Sequence, residues 1–425
     1  MPPLSADLAF RGLVHQVTDD RLLGLLDTER LTAYIGFDPT ADSLHVGHLV
    51  QVCNLRRLQL AGHRPIALAG GGTGMIGDPG GKTEERQLLG DEELAANLAA
   101  VRTQLERFLD FDAGDASALL LDNGAWLRGL SLIEFLRDIG KHFTVNQMVG
   151  KESVRARLER PDQGISFTEF SYMLLQSYDF LHLFDAHGCR LQLGASDQWG
   201  NITMGIELVR KLRRAEVYGL TTPLVLKADG TKFGKTESGT VWLDPARTSP
   251  FRLYQFFLRA EDSDVGAYLR YFTFLGHEEI GALDEATAAH PERREAQRAL
   301  AAAVTTLVHG ADETARAQAA SAALYTEAIA DLDERTLLDV CAEAPSSTLA
   351  RSILDDGYAV VDALADAGLA KSKTQARTTV SQGGAYLNNK RVEDAEARIG
   401  RDDLLFGQYA LLRRGRRDYH LVRFE

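Results

Sequence analysis

The sequence is poor in cysteine, in long apolar runs and in positive charge. Its 425 residues include three cysteines, Cys53, Cys189 and Cys341, which stand far apart and form no CxxC pair. This spacing argues against a disulfide framework or a cysteine zinc site, and it fits a reducing cytoplasm. No run approaches the roughly 18 apolar residues of a transmembrane helix, and the first residues lack the pattern of a signal peptide. We therefore expect a cytoplasmic protein with no membrane contact.

Negative charge exceeds positive charge over the whole chain, but not near its end. The net charge is −13, which argues against nucleic-acid binding over the entire surface. Between residues 371 and 423, however, twelve Lys and Arg stand against six Asp and Glu. A basic C-terminal module on an acidic body is therefore expected, and its charge suits an RNA backbone. A second candidate phosphate contact is the basic cluster Arg210, Lys211, Arg213 and Arg214.

The hydrophobic pattern predicts an α/β protein. Short apolar runs at 31–37 and 64–69 are separated by a helical pattern, which is the order of a parallel, Rossmann-like sheet. Residues 1–30 are predicted to form one amphipathic helix, and 345–347 (PSS) a linker. From residue 249 the pattern is helical and Ala-rich, and the last part alternates short helices with short strands. We predict a Rossmann-like catalytic domain (1–220), a linker (221–248), an α-helical domain (249–345) and a small α+β domain (350–425).

Two histidines flank a glycine where a loop enters a helix. Residues 36–40 (GFDPT) follow the first predicted strand, and residues 45–48 (HVGH) open the next helix. Glycine lets the backbone approach a ligand closely, and a helix N-terminus favours negative charge. Imidazole donors there suit a phosphate or a ribose. A loop with two incidental histidines is the alternative, and the position directly after a strand favours the nucleotide site.

Two further segments combine glycine with basic residues. Residues 70–74 (GGGTG) precede Lys82 and Arg86, and residues 232–236 (KFGKT) carry two lysines. Basic groups on such loops suit phosphate, although the first segment lacks the spacing of a Walker A motif. A mobile lysine loop can close over a polyphosphate. Taken alone, each segment is also explained by a solvated surface turn.

Polar residues share one face of a strongly apolar helix. Tyr172, Gln176 and Asp179 stand at i, i+4 and i+7, and such groups are costly in an apolar core. An exposed polar stripe is the alternative, but the apolar neighbours favour a pocket wall. Residues 192–201 (QLGASDQWGN) follow a further predicted strand, which is the usual ligand-binding position in open α/β sheets. Asp197 is predicted to hold a ribose or to cap a helix.

Taken together, these segments resemble the class I aminoacyl-tRNA synthetases, and most closely the bacterial tyrosyl-tRNA synthetase family. Residues 45–48 match the HIGH signature, and 232–236 are a variant of KMSKS. The resemblance extends to YxGFDPTADSLHVGH, IGDPGGK, FTEFSYMLLQSYD and SDQWGNI and covers nearly the whole chain. The part from about residue 358 resembles an S4-type RNA-binding domain.

This resemblance implies an activity and a set of partners. The family activates L-tyrosine with ATP to tyrosyl-adenylate and pyrophosphate, and then transfers the tyrosyl group to tRNA(Tyr). ATP is a substrate accompanied by Mg²⁺, and no tightly bound cofactor is expected. The resemblance also implies tRNA binding through the C-terminal domain and basic clusters, and a homodimer with residues 131–160 near its interface.

The resemblance also assigns residues to roles. The residues implied in catalysis are Thr40, His45, His48, Lys82, Arg86, Lys232, Lys235 and Thr236. Those implied in tyrosine binding are Tyr34, Asp78, Tyr172, Gln176, Asp179, Gln192 and Gln198. Those implied in nucleotide binding are Gly36, Asp38, Gly47, His48, Gly194, Asp197 and Lys235. Ala195 and Gln51 depart from the family pattern and put nucleotide affinity in doubt.

Three alternatives stay open from the sequence. A tryptophanyl enzyme of the same class also suits Asp179, since an indole is a donor. A catalytically inactive RNA-binding paralogue would use the basic tail alone, although both HVGH and the lysine segment are present. A nucleotide-binding transferase unrelated to tRNA would leave the tail unexplained.

Overall fold

The computed structural model describes residues 2–79, 90–159, 164–226, 233–236, 239–323, 326–342, 344–415 and 418–425. The chain forms two compact units, one of residues 1–248 with 259–308 and one of residues 249–258 with 309–425. Within the described ranges no helix is long and apolar enough to span a membrane.

The strands are β1 (Gln16–Val17), β2 (Thr32–Phe37), β3 (Arg64–Ala69), β4 (Leu119–Asp122), β5 (Cys189–Ala195), β6 (Tyr218–Thr222), β7 (Lys235–Thr236), β8 (Gly239–Thr240), β9 (Ser346–Leu349), β10 (Tyr358–Ala359), β11 (Ala385–Leu387), β12 (Lys390–Arg391), β13 (Arg398–Ile399), β14 (Tyr409–Arg414) and β15 (Asp418–Phe424). The α-helices are α1 (Leu4–Phe10), α2 (Arg21–Thr28), α3 (Val46–Leu60), α4 (Asp91–Leu105), α5 (Gly124–Leu127), α6 (Leu132–Glu134), α7 (Val145–Val149), α8 (Glu152–Leu158), α9 (Phe167–His187), α10 (Trp199–Arg213), α11 (Pro250–Leu258), α12 (Asp262–Phe272), α13 (His277–Ala289), α14 (Glu295–His309), α15 (Ala311–Ala323), α16 (Glu334–Cys341), α17 (Val360–Asp366) and α18 (Lys373–Ser381).

The first unit is built on a six-stranded sheet in the order β1-β6-β5-β2-β3-β4. Strands β2 to β6 run parallel, and β1 joins the edge antiparallel to β6. The chain leaves β2 toward β3 and β4 on one side, whereas β5 and β6 lie on the other side. This reversal of strand order opens a crevice at the carboxyl ends of β2 and β5, where ligands bind in open α/β sheets. The predicted α/β fold class is confirmed.

The central strands could be predicted from the sequence because both faces of the sheet are covered, so these strands are apolar along their whole length. Five of the six residues of β3 are buried, which explains its continuous apolar run. The helix predicted between β2 and β3 occupies Val46–Leu60. The loop after β2 therefore meets the N-terminus of α3 at the carboxyl edge of the sheet.

The prediction of a single helix over residues 1–30 is wrong. Gly12, with φ +66°, follows the end of α1, and the chain then forms β1 before α2 begins at Arg21. The positive φ favours glycine and stops the helix. Pairing of β1 with Thr221 and Leu220 of β6 extends the sheet, an interaction that local helical periodicity does not reveal.

The second unit combines helices with a small sheet. Its five strands have the order β12-β11-β14-β15-β9, and β9 runs parallel to β15 while the other neighbours are antiparallel. The linker predicted at 345–347 is wrong in part, since Ser346–Leu349 forms the edge strand β9. A hydrophobic cluster joins Ile329, Leu337 and Cys341 to Tyr409 and Leu421 of the sheet side. Residues before and after the predicted boundary at 345 therefore share one core.

Candidate active site

A buried phenol marks the bottom of the crevice. Tyr34, on β2, is 1% exposed and meets the ring of Phe180 edge-on, with the ring centroids 5.4 Å apart. Its hydroxyl has no hydrogen-bond partner among the described residues. Burial, and then the charge of Asp179, raises the pKa of Tyr34 well above its ordinary value. A buried hydroxyl without a partner is costly, so Tyr34 is prepared to bond a polar group of a ligand.

Asp179 faces this phenol from α9 and is held by two donors. Its Oδ2 accepts a hydrogen bond from Asn123 Nδ2 at 2.9 Å, and its Oδ1 accepts one from Trp126 Nε1 at 2.8 Å. Burial raises the pKa of Asp179 to about 7, and its two hydrogen bonds lower it. The charges of Asp38 and Asp122 add a smaller upward shift. A carboxylate has about four acceptor positions, so Asp179 can still accept a ligand hydroxyl.

A chain of hydrogen bonds leads from Asn123 to the loop after β2. Asn123 Nδ2 also donates to Thr73 Oγ1 at 2.9 Å, and Thr73 Oγ1 donates to Asp38 Oδ1 at 2.8 Å. The Tyr172 hydroxyl donates to the other oxygen of Asp38, at 2.9 Å. Gly70 is required beside this chain, because a Cβ there would lie 2.2 Å from Asp38 Oδ1. The glycine-rich turn thus packs against the site.

Three side chains predicted to read the amino-acid end lie in one polar cluster. Gln198 Nε2 donates to Asp78 Oδ2 at 2.5 Å, and Gln176 Nε2 donates to Gln198 Oε1 at 3.3 Å. Asn201 Nδ2 donates to both Gln176 Oε1, at 3.1 Å, and Gln198 Oε1, at 3.2 Å. Gln192 of β5 is buried, and its Oε1 has no hydrogen-bond partner in the described chain. The cluster is rich in acceptors, which an ammonium group requires.

The HVGH segment forms the N-terminus of α3. His45 Nδ1 accepts a hydrogen bond from the Gly47 amide at 3.0 Å and caps the helix, while the His45 amide donates to His48 Nδ1 at 3.3 Å. The two rings stack with centroids 3.9 Å apart and planes 21° apart. A Cβ at position 47 would lie 2.7 Å from the His45 ring. Both imidazoles are half-buried and stand where the helix dipole favours an anion.

The remaining predicted nucleotide contacts border the open part of the crevice. Gly36 and Thr40 are exposed, and a Cβ at Gly36 would meet nothing within 4 Å. Asp197 is half-buried just beyond β5. Gly194 lies in β5, where a Cβ would lie 2.9 Å from Gln198 Cβ. This part of the crevice therefore has room for a ligand next to the backbone of β2.

The lysine segment is partly described. The backbone of Lys235–Thr236 forms β7, which pairs antiparallel with β8. Lys82, Arg86 and Lys232 lie outside the described residues. In the described part of the chain no group of three His, Cys, Asp or Glu could hold a metal ion.

Many of the basic residues singled out in the sequence are ion-paired at the surface. Arg210 and Lys211 both contact Glu207, and Arg213 contacts Asp185. Among the described basic residues between 371 and 423, the ion pairs are Lys373–Asp362, Arg377–Glu396, Arg401–Asp355, Arg414–Asp418 and Arg423–Glu425. Arg413 is nearly buried and stacks over the ring of Tyr386, with its guanidinium carbon 3.7 Å from the ring centroid.

Three residues that organise the site were not among the predicted site residues. Asn123, Trp126 and Thr73 hold Asp179 and Asp38, although none of them was singled out as a site residue. One signal was available: Asn123 directly follows β4, the third parallel strand along the chain, at the same carboxyl edge as the other site residues. The aromatic donor Trp126 gave no such signal.

The chain is similar to known tRNA synthetases along its whole length. A family model described as tRNA synthetases class I (W and Y) matches residues 26–326, and a model of the SYY-like C-terminal domain of tyrosine–tRNA ligase matches residues 339–422. The tyrosine–tRNA ligase of Roseiflexus castenholzii is 55% identical over 100% of both chains, and that of Geobacillus stearothermophilus is 51% identical over 99% of both. A truncated mitochondrial tyrosyl-tRNA synthetase of Aspergillus nidulans has a TM-score of 0.67 at 34% identity, covering 75% of this chain and 92% of its own.

The fold, the crevice and the family models together define a class I aminoacyl-tRNA synthetase of the tryptophan and tyrosine group. Within that group the chain belongs to the tyrosine–tRNA ligase family, since both relatives match it from end to end. The family expected from the sequence motifs is confirmed.

Proposed function

We propose that this chain activates L-tyrosine with ATP and transfers the tyrosyl group to tRNA(Tyr). The observation that carries the proposal is the buried pair Tyr34 and Asp179, an unpartnered hydroxyl beside a carboxylate at the switch point of the sheet. A substrate phenol satisfies both groups at once, as hydrogen-bond acceptor from Tyr34 and donor to Asp179. Phenylalanine leaves the buried Tyr34 hydroxyl without a partner and gives Asp179 no further donor, and an unpaired buried hydroxyl is costly.

The polar cluster at the mouth of this pocket would hold the amino-acid head group. In our proposal Asp78, Gln176 and Tyr172 offer oxygen acceptors to the ammonium group, and Gln198 lies near the carboxylate. Gln192 supports this arrangement from β5. The hydrogen bonds among these side chains fix their positions before the substrate arrives, and such preorganisation lowers the cost of binding.

The first chemical step needs no general base, because the carboxylate of tyrosine is already ionised. One carboxylate oxygen attacks the α-phosphorus of ATP, an O–P bond forms, and the bond from the α-phosphorus to the bridging oxygen breaks. Pyrophosphate leaves with that oxygen and its electron pair. The protein must therefore position two anions and stabilise charge on phosphoryl oxygens.

The charge-stabilising residues are proposed at the open end of the crevice. Asp197 and His48 would contact the ribose. The nucleotide would approach the backbone closely at Gly36, Gly47 and Gly194. Asp38 lies next to these residues. Thr40 and His45 would bind the γ-phosphate. The groups proposed to stabilise the departing pyrophosphate are Lys82, Arg86, Lys232, Lys235 and Thr236. Mg²⁺ would reach the site with the phosphates of ATP as part of the substrate.

Transfer to RNA and assembly complete the proposal. The second unit would carry tRNA, and exposed Lys390 and Arg391 are basic groups in its sheet. We also propose a homodimer and a cytoplasmic location. Exposed apolar side chains cluster in residues 132–149, with Leu132 68% and Ile133 71% exposed, and such a surface is typical of an interface. An Ile133→Asp variant should be monomeric in light scattering, and an unchanged mass would contradict this interface.

ATP–pyrophosphate exchange with the purified chain tests the activation step. Tyrosine, phenylalanine and tryptophan should be compared at equal concentration with Mg²⁺ present. Exchange that depends on tyrosine supports the proposal, and charging of tRNA(Tyr) then tests the second step. Exchange with tryptophan alone would overturn the substrate, and no exchange from folded protein would overturn the enzymatic function.

A further inference from the structure

The segment that carries Lys235 and Thr236 is held by the folded body at both of its ends. On the leaving side, the Val46 amide donates to the Val241 carbonyl at 3.0 Å, and the Leu243 amide donates to the Leu44 carbonyl at 2.8 Å. These bonds tie residues 241–243 to the residues at the start of α3. On the entering side, the holding residue is Phe233, which is buried.

Phe233 packs against Tyr268 and Phe272 of α12, and we call these two residues its seat. Its ring stacks on Phe272, with centroids 5.0 Å apart and planes 22° apart, and lies 4.8 Å from the ring of Tyr268. Gly234 follows with φ +84°, and a Cβ there would lie 2.7 Å from Val46 Cγ2. The Val241 amide donates to the Gly234 carbonyl at 3.0 Å and closes the stem. The chain therefore turns away from α12 at Gly234.

The seat is tied to the helix that carries the HVGH segment. Arg57, near the end of α3, is 4% exposed and donates to the carbonyls of Arg270, Tyr271 and Thr273 at 3.2, 2.9 and 2.9 Å. Arg11 donates to Arg270, Thr273 and Leu275 carbonyls. A buried guanidinium is expensive, and here it binds the negative end of the α12 dipole. One rigid frame thus links the start of α3 with the seat of Phe233.

We propose that Phe233 is a positioning residue for tyrosine activation, because its seat on α12 fixes where the segment bearing Lys235 leaves the body of the protein. This inference rests on the proposed role of Lys235 at pyrophosphate. Phe233 touches no substrate in this scheme. A misplaced donor loses transition-state stabilisation while ground-state tyrosine binding is unaffected.

A double-mutant cycle tests the inference. Phe233→Leu should lower kcat of tyrosine activation about tenfold, with KM for tyrosine changed less than about twofold. On a Lys235→Ala background the same change should lower kcat by less than about twofold, since Phe233 then has no lysine to position. A merely structural role would give equal losses in both backgrounds and would overturn the inference.

Controls separate the outcomes. Phe108→Leu replaces another buried phenylalanine of the same unit and should leave kcat near the wild-type value at a comparable loss of thermal stability. If Phe233→Leu does not fold, Phe233→Met provides a flexible side chain of similar size and should show a smaller loss of the same kind. If Lys235→Ala activates tyrosine slowly but the folded Phe233 variant has wild-type kinetics, only this inference is overturned. Wild-type kinetics for Lys235→Ala overturn it together with the proposed role of that lysine.

Discussion

The phenol end and the phosphate end of the site are built in different ways. Asp179 and Tyr34 lie in the core, and Asn123 and Trp126 fix the carboxylate. Thr40, by contrast, is exposed at the open end of the crevice. A buried polar group penalises every ligand that leaves it unpaired, whereas an exposed donor contributes chiefly where charge develops. We therefore propose that substrate selectivity depends on the buried residues Tyr34 and Asp179, and that rate enhancement depends on exposed groups such as Thr40.

The largest loss of activity is expected from Asp179→Asn, at the buried end of the site. The amide turns a donor toward Asn123 or Trp126, and the substrate hydroxyl loses the charged acceptor and is left with at most one neutral oxygen. We expect kcat/KM for tyrosine to fall about 10³-fold, which is ~4 kcal/mol. Pyrophosphate exchange over a range of tyrosine concentrations measures this. Asp185→Asn, on the exposed side of the same helix, is the control and should change little. Equal losses in the two variants would contradict the role of Asp179.

The rim should respond differently to Thr40→Val, which keeps the shape of the side chain and removes its hydroxyl. If Thr40 binds mainly in the transition state, kcat for activation falls about 10²-fold while binding of tyrosine and ATP is nearly unchanged. Pre-steady-state kinetics of adenylate formation separate the two quantities. Weaker binding at an unchanged activation rate would contradict the assignment.

Tyr34→Phe, also at the buried end, separates the effect of a side chain on stability from its effect on activity. The change removes a buried hydroxyl without a described partner, so the melting temperature of the ligand-free protein should not fall. Activity should fall nevertheless, by about tenfold in kcat/KM for tyrosine, or ~1.4 kcal/mol. Calorimetry and pyrophosphate exchange on one preparation test both parts. A clear loss of stability would show that the hydroxyl is used in the free protein.

The free energy of unfolding should also depend on pH. Burial raises the pKa of Asp179 to about 7, above its ordinary value of 3.8, so the folded state binds an extra proton between these values. The free energy of unfolding therefore falls as pH rises through this window, because the carboxylate ionises in a buried place. Urea unfolding at pH 5 and pH 8 should show wild type losing stability relative to Asp179→Asn. Parallel behaviour of the two proteins would contradict the shifted pKa.

Local patterns in the sequence predicted the elements that bring the two ends of the site together. The apolar runs of β2 and β3, and the helix between them, were found because buried parallel strands are continuously apolar. Tyr172, Gln176 and Asp179 could be placed on one face of α9 because helical spacing is regular. The order of strand, glycine and polar residues located the crevice.

Other features depend on contacts between distant parts of the chain. Asn123 and Trp126 reach Asp179 because β4 lies beside β3, a pairing that no local pattern encodes. The first 30 residues form two helices and a strand because β6 offers an open edge. The seat of Phe233 on α12 joins residues far apart in the sequence.

The sequence alone therefore determined the fold class and the family, since periodicity and motif order are local properties of the chain. Only the tertiary structure decided which polar groups are already satisfied and which await a ligand. That distinction depends on burial and on partners brought together by the whole core, as the phenol of Tyr34 and the carboxylate of Asp179 demonstrate.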